Sequence, residues 1–491
     1  MPTEKKIVIS QRKSFYYTKI MSKDNNKQEV YVPQTGSLSE RLARVKGTRW
    51  ARFGIVSAIF LGWVCWMGNP WLLLAWPLLA DIYLTQFIPW GGWKGWKPGI
   101  ARTIMSWVDA IVYALVLVYF LFLFVGQNYQ IPSSSLEKTL LTGDFLWVNK
   151  VVYGPRVPQT PLHFPLAQNT LPFLNCKSYI DKPQLEYHRL KGLRSVERGD
   201  IVVFNFPAGD TVALKSQNPD YYTQCLEYGR ENILANPDRF GQVIYRPVDR
   251  RENYVKRCLG LPGEWLSIRD GVVYIDNKPL PQPEKVQFFY HVATDGRTIP
   301  DDLFEQMGVS VEDRHLVQNG HYMLPLTEAM KQTLEAQQWV TTVERMPADP
   351  GESIITYPVG HDYGWTHENY GPLWIPKKGM TLKLTTENLP KYERCIRNYE
   401  CNTLEVKDGI IYINGKQTDS YTFKMDYYWM MGDNRDNSLD SRYWGFVPED
   451  HIVGTPNIIL ISFDKDHSLF NGGIRWNRIL RIPNPDRESF Q

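Results

Sequence analysis

Ser135 stands in a hydroxyl-rich run, Gln130-Ile-Pro-Ser-Ser-Ser-Leu136, ten residues after an apolar stretch ends at Val125. A serine hydroxyl is a weak nucleophile until a base takes its proton, so the question is which base this chain offers. The Gly-x-Ser-x-Gly elbow, the His-Glu-x-x-His zinc helix and the Gly-x-x-x-x-Gly-Lys phosphate loop are absent. The nine histidines are scattered, and His361 with His367 is too loose a pair for metal ligation. No metal and no cofactor is expected.

Lysine is the remaining base. Its unperturbed pKa of about 10.4 leaves it charged at neutral pH, so it must be desolvated or set beside positive charge to work. Lys256 meets that condition in Tyr254-Val-Lys-Arg-Cys-Leu-Gly-Leu-Pro-Gly263, whose apolar neighbours suggest a buried strand. Strand alternation sends Arg257 to the other face, so burial has to do most of the work. Seen alone, the segment would read as a strand with its lysine in water. Lys138 competes, because Ser135-Leu-Glu-Lys138 matches the Ser-x-x-Lys pattern of penicillin-binding proteins and β-lactamases. Their Ser-Asp-Asn and Lys-Thr-Gly elements do not occur, and a solvated surface lysine is the expectation for Lys138. A third block, Gly432-Asp-Asn-Arg-Asp-Asn-Ser-Leu-Asp-Ser-Arg-Tyr-Trp-Gly445, is too dense in charge and amides for regular strand or helix. Arg435 and Arg442 among Asp433, Asp436 and Asp440 predict an ion-paired scaffold holding Ser438, against a calcium-like or purely structural turn.

The elements that must position these residues are mostly strands. From Gln130 onward, short apolar alternations bounded by Gly, Pro, Asn and Asp predict strands or hairpin arms over 145–153, 200–206, 254–259, 265–275, 403–413 and 452–463. The run from Trp265 to Lys278 echoes that from Thr403 to Lys416, each with an Asp-Gly turn between two alternating arms. Between them lies a segment with helical pieces at 301–307 and 327–338, the second starting at a Thr cap, which reads as an insertion on a β scaffold. Residues 155–191 read as a long loop.

Three apolar segments precede this region, 53–67, 71–89 and 104–125. The third best approaches the roughly 20 residues of a spanning helix, and the first two read as a membrane hairpin. Nine of the 17 Trp fall within the first 110 residues, as an aromatic interface belt would place them. Basic flanks (Arg41, Arg44, Lys46, Arg49 and Arg52, then Lys94, Lys97 and Arg102) place both in the cytoplasm and everything after Val125 outside. The late start of the apolar stretch argues against a cleavable signal peptide. The expected domains are a basic tail 1–52, a hairpin 53–90, a loop 91–103, a span 104–126, and a catalytic β core, 127–280 and 403–491, interrupted by an insertion 281–402. With 55 basic against 52 acidic residues, net charge +3 and pI near 8.3, no basic field invites nucleic acid. Cys395 and Cys401 are close enough for a local disulfide, and free thiols suit the sequence equally.

At these blocks the chain resembles bacterial signal peptidase I, a membrane-bound serine endopeptidase with a serine and lysine dyad. Residues 131–143, 254–263 and 432–449 look like its successive boxes in order, as does Arg198-Gly-Asp-Ile-Val-Val-Phe204 between the first two. The resemblance implies a membrane-anchored, mainly antiparallel β fold in a bacterial cytoplasmic membrane, with several spans and the catalytic region on the extracytoplasmic side. It implies Ser135 as nucleophile, Lys256 as general base and Ser133 beside the Ser135 N–H as the oxyanion hole. Ser438 would orient the lysine, Asp440 and Arg442 would support it, and Asp433 would pair with Arg257. Leu136 and Ser134 depart from the family's usual Met and frequent Gly, and Leu for Met keeps volume similar. The implied partners are preprotein signal peptides ending in small residues, the lipid bilayer and, functionally, the secretion translocon. The alternatives are an inactive anchored homologue that binds signal segments, and a penicillin-reactive enzyme.

Overall fold

The computed structural model describes residues 37–490 except 165, 172, 173, 175, 469–471, 485 and 486. The first 36 residues of the expected tail therefore lie outside the described residues. The chain divides into two compact units, Met1–Leu115 and Val116–Gln491.

In the first unit, helix α1 (Gly47–Met67) ends on Gly68, whose φ of 65° is a left-handed cap that glycine takes without strain. Part of its apolar surface stays outside, with Ile55 63% and Ile59 68% exposed, while Val64 is buried. The second apolar segment is shorter and more broken than the expected 71–89. A 3-10 turn (Pro70–Ala75), an α turn (Trp76–Ala80) and a π turn (Asp81–Thr85) follow one another. Pro70 and Pro77 withhold backbone donors, and the Asp81 carboxylate ends the run by accepting from Phe87 N at 2.6 Å, Ile88 N at 3.0 Å and Trp90 Nε1 at 2.9 Å. Helix α2 (Ile100–Phe124) starts four residues before the expected span. Among the described residues, α1 and α2 are the helices long and apolar enough to cross a membrane.

The second unit is mainly antiparallel β. Its main sheet contains β1 (Gly126–Gln130), β2 (Asp144–Asn149), β3 (Ile201–Asn205), β4 (Asn253–Gly260), β5 (Tyr427–Met431), β6 (Val447–Pro448) and β7 (Ile452–Ser462). They lie in the order β1-β2-β7-β3-β4-β5-β6. Alternation feeds both faces. Leu146, Val148, Ile201, Val203 and Ile459 enter one core, while Val202, Phe204, Cys258 and Met430 enter another. The expected strands at 145–153, 200–206, 254–259 and 452–463 are all present, differing only at their ends.

The echo is a real structural repeat. Arg269 pairs with Val272 and Ile275 with Lys278; Lys407 pairs with Ile410 and Ile413 with Lys416. Each copy is thus three short strands joined by two two-residue turns. Positive φ at both turn positions, 50° and 76° at Asp270-Gly271 and 50° and 78° at Asp408-Gly409, makes these type I′ turns. The copies share one core containing Leu266, Ile268, Ile411, Ile413 and Trp429.

Between the copies, Phe288–Thr294, His315–Gln318, His321–Leu326 and Val340–Arg345 form a separate four-stranded sheet. Helices Asp301–Met307 and Glu328–Glu335, the latter capped by Thr327, pack on it around Val292, Leu324 and Leu334. The described residues of 155–191 form an irregular excursion pinned by isolated bridges such as Arg156 to Arg189. The short helices between Tyr221 and Phe240 had no counterpart in the expected elements. All six cysteines are free, with Cys395 buried and Cys401 exposed, so the pair forms no disulfide.

The two Asp-Gly turns separate strain from crowding. A Cβ on Gly409 would meet open space, whereas one on Gly271 would lie 2.9 Å from the Phe288 ring. Gly409→Ala should cost about 1 kcal/mol, the left-handed penalty alone. Gly271→Ala should cost measurably more by denaturant unfolding; equal losses would contradict this packing.

Candidate active site

Ser135 lies in the loop between β1 and β2, whose ends are tied by Ile131 N to Asp144 O at 2.9 Å and Gly143 N to Ile131 O at 3.0 Å. Leu136 and Leu140, at 1% and 0% exposure, anchor the loop in the core beneath it. Leu136 therefore fills an apolar place in that core. Lys256 sits on β4, and the sheet register sets it opposite Val202. Its Nζ donates to Ser135 Oγ at 2.6 Å, and both residues are buried. Burial pushes the Lys256 pKa down to about 8.

Two carboxylates act on this lysine in the opposite sense, and each is held by an arginine. Arg257, on the other face of β4, grips Asp433 through Nε to Oδ1 at 2.8 Å and Nη2 to Oδ2 at 2.6 Å. Arg442 grips Asp440 through Nε to Oδ1 at 2.9 Å and Nη2 to Oδ2 at 2.8 Å. Against the upward push of burial, these arginines hold both carboxyls below their ordinary range. Asp433 also accepts from the Thr139 hydroxyl at 2.8 Å, which ties the pair to the Ser135 loop.

The 432–445 block closes over the serine. Asn434 donates its N–H to Ser135 O at 3.2 Å and its side-chain amide to Ser134 O at 3.3 Å, while Asn437 Nδ2 donates to Ser134 Oγ at 3.1 Å. Gly432 permits the approach: a Cβ there would lie 2.5 Å from Ser135 O and 2.2 Å from Ser438 Oγ. Ser438 is buried, and among the described residues its hydroxyl has no hydrogen-bond partner, so the expected bond to Lys256 is not formed. Ser133 is exposed and lines the same groove as Ser135 and Lys256. That groove, about 670 Å³, has Ile131, Leu146, Val203 and Val255 among its lining, with Gln168 and Asn169 contributed by the 155–191 excursion and Asn218 by the loop before Tyr221.

Lys138 is not a solvated lysine. Its Nζ donates to Met307 O at 3.1 Å and to Gly308 O, the carbonyl end of helix Asp301–Met307 in the insertion. A cation there complements the helix dipole and satisfies terminal carbonyls. The sequence could not reveal this, because the partner lies 170 residues away. The Asn434 and Asn437 contacts were likewise missed; the amide density of the block was the only signal.

The insertion grips the 432–445 block as well. Gln287 N donates to Asp433 O at 3.0 Å, Arg435 N to Gln287 O at 2.9 Å and Phe289 N to Asp436 Oδ2 at 2.7 Å. His367 bridges Glu352 through Nδ1 at 2.7 Å and Asp436 through Nε2 at 3.1 Å. Burial opposes its charge, yet hydrogen bonds to Asp436 and Glu352 hold its pKa up at about 9. Glu368 is near enough to share an ion with His367 and Asp436, but it already holds Arg345 at 2.6 Å. His361 takes no part in this cluster.

A family model described as signal peptidase, peptidase S26, matches residues 104–325 and 416–461, more than half of the chain. The chain belongs to that family and is a serine peptidase. It is similar to signal peptidase I of Buchnera aphidicola (subsp. Acyrthosiphon pisum), 26% identical over 361 residues covering 72% of this chain and 74% of the relative. It resembles signal peptidase I of Haemophilus influenzae at 24% over 374 residues (76% and 74%). With signal peptidase I of Helicobacter pylori strain 26695 it shares 22% over 386 residues (77% and 90%).

Two outcomes check this site. Lys138→Met should destabilise the protein by about 1 kcal/mol while leaving cleavage intact; abolished cleavage in a folded variant would contradict the helix-end role. His367, raised from about 6.5 in the unfolded chain to about 9 in the fold, contributes stability that is complete below pH 6.5 and disappears as pH rises through 9. Its His367→Gln variant should lack that alkaline loss in thermal unfolding.

Proposed function

We propose that this protein is a signal peptidase I that removes N-terminal signal peptides from exported preproteins after small residues of the Ala-x-Ala type. The observation that carries the reading is the buried 2.6 Å contact between Lys256 Nζ and Ser135 Oγ. Neutral Lys256 takes the Ser135 proton as Oγ attacks the scissile carbonyl. The Ser135 N–H and the Ser133 hydroxyl hold the oxyanion, and the protonated lysine returns its proton to the leaving amine as the C–N bond breaks. Water, deprotonated by the same lysine, then hydrolyses the acyl-enzyme. Asp440 with Arg442 and Asp433 with Arg257 hold the frame around the lysine.

The substrate lies extended in the groove between the end of β1 and the start of β4, adding main-chain hydrogen bonds as a strand would. The apolar lining of Ile131, Leu146, Val203 and Val255 suits small aliphatic side chains. α1 and α2 anchor the chain in a bacterial cytoplasmic membrane; 25 residues make α2 about 37 Å long, enough to cross a hydrocarbon core of roughly 30 Å. The basic flanks of the helices stay in the cytoplasm, the second unit faces outward, and the secretion translocon delivers the substrates. The penicillin-reactive reading loses its base, because Lys138 is engaged by the end of a helix.

Detergent-solubilised protein should cleave a preprotein, and both Ser135→Ala and Lys256→Ala should abolish this. Ser133→Ala should retain folding and lose about 10² to 10³ in kcat. Cleavage that persists in Lys256→Ala would remove the base assignment. Since only the uncharged amine accepts a proton, kcat/KM should rise about tenfold per pH unit below the Lys256 pKa and level off above about 8. A rise continuing beyond pH 10 would contradict the buried, neutral lysine.

A further inference from the structure

The last turns of α2 and the start of the main sheet enclose a second cavity of about 160 Å³. It adjoins the catalytic groove, with Tyr129, Gln168 and Asn253 lining both. Tyr119, Phe122 and Leu123 of α2 give it an apolar wall; Lys150, Arg156 and Arg250 bring three cations to it, with one carboxylate, Asp249.

The cations spend their hydrogen bonds on neutral acceptors. Lys150 Nζ donates to the Phe122 carbonyl and, at 3.3 Å, to Gln127 Oε1. Arg156 donates to the Asp450 carbonyl and, at 2.6 Å, to Asn205 Oδ1. Arg250 donates to Thr160 Oγ1 at 2.6 Å and to Thr160 O at 3.4 Å. Asp249 stands 3.7 Å from Arg250; its Oδ2 accepts from the Thr160 N–H and hydroxyl, both at 2.9 Å, while its Oδ1 is buried without a hydrogen-bond partner among the described residues, leaving one carboxylate against three cations. The Asp450 carboxylate, also close enough to act on Arg156, is bonded to His451 at 2.5 Å. Positive charge is therefore in excess in a partly dry place. Burial, then the charges of Arg156 and Arg250, push Lys150 down to about 7; burial, then Arg189, push Arg156 down to about 10.

We propose that this cavity binds a phosphate group, that of a phospholipid headgroup, between Lys150, Arg156 and Arg250. The inference rests on the reading of α2 as a membrane span, which brings its C-terminal turns to headgroup level. There the basic wall would meet phosphate and the apolar wall an acyl chain. Free phosphate would satisfy the same cations but makes no use of the apolar wall.

Native mass spectrometry of the full chain, released from nonionic detergent, tests this with three probes: dioctanoyl phosphatidylglycerol, dioctanoylglycerol and inorganic phosphate. The phospholipid should be retained at one per chain, with affinity reduced about tenfold in Lys150→Met and in Arg250→Gln. It should be unchanged in Lys278→Gln, on the exposed third strand of the first repeat. Asp249→Asn should tighten binding about threefold by removing the competing charge, a gain that misfolding cannot produce. Equal retention of the uncharged glyceride, undiminished binding in both cation variants, or no tightening in Asp249→Asn would overturn the proposal. Arg250-dependent binding of inorganic phosphate in preference to the lipid would overturn the lipid assignment. Flotation with uncharged liposomes reads the span separately: a chain that floats yet retains no phospholipid defeats this inference alone, and one that does not float removes both.

Discussion

An ammonium group cannot accept a proton, so the proposed chemistry depends on keeping one amine uncharged in a site that also contains carboxylates. Lys256 is buried against Ser135, and burial favours its neutral form. Asp433 and Asp440 pull the other way, and a free carboxylate near a lysine would restore its charge. The two bidentate arginine pairs blunt that pull. Arg257 and Arg442 are fully buried and each takes both oxygens of one carboxylate. The ion pairs are more than scaffolding: they neutralise the acids around the base while using those acids to brace the loop that closes over the serine.

That bracing draws on distant parts of the chain. The Ser135 loop is fixed from below by Leu136 and Leu140, from one side by Thr139 on Asp433, and from another by Lys138 on the insertion's first helix. The insertion in turn holds the 432–445 block through Gln287, Phe289 and, by way of Asp436, His367. A segment that looked like an appendage between two hairpins thus touches both loops that form the site. Its helices and sheet have their own core, so it can act as a rigid clamp at those two places.

What the sequence revealed and what it hid divide along range. The type I′ turns, the alternating strands and the Thr327 cap are local, dictated by residues within a few positions of one another, and they stand in the structure much as read. Lys256 was legible only in part: its apolar neighbours allow a dry strand, but the segment alone reads as a strand lysine in water, and the resemblance of the three blocks decides for it. Lys138 misled because its own neighbourhood is polar, and nothing local announces a helix end 170 residues away. The second apolar segment reads in sequence as one unbroken arm, although the Asp81 carboxylate that ends it bonds N–H groups only six to nine residues further on. The excursion 155–191 and the loop before Tyr221 carry no strong period, so their part in lining the groove, through Gln168, Asn169 and Asn218, came only with the fold.

The central claim concerns one proton on one nitrogen, and it can be read without turnover. Selective labelling of lysine side chains, with Lys256 assigned by its loss in Lys256→Met, allows the ε-carbon and amine resonances to be followed by NMR through a pH titration of the Ser135→Ala protein. The account predicts a midpoint near 8 for this lysine, while exposed lysines titrate near 10.5. A midpoint for Lys256 with the exposed group would contradict it.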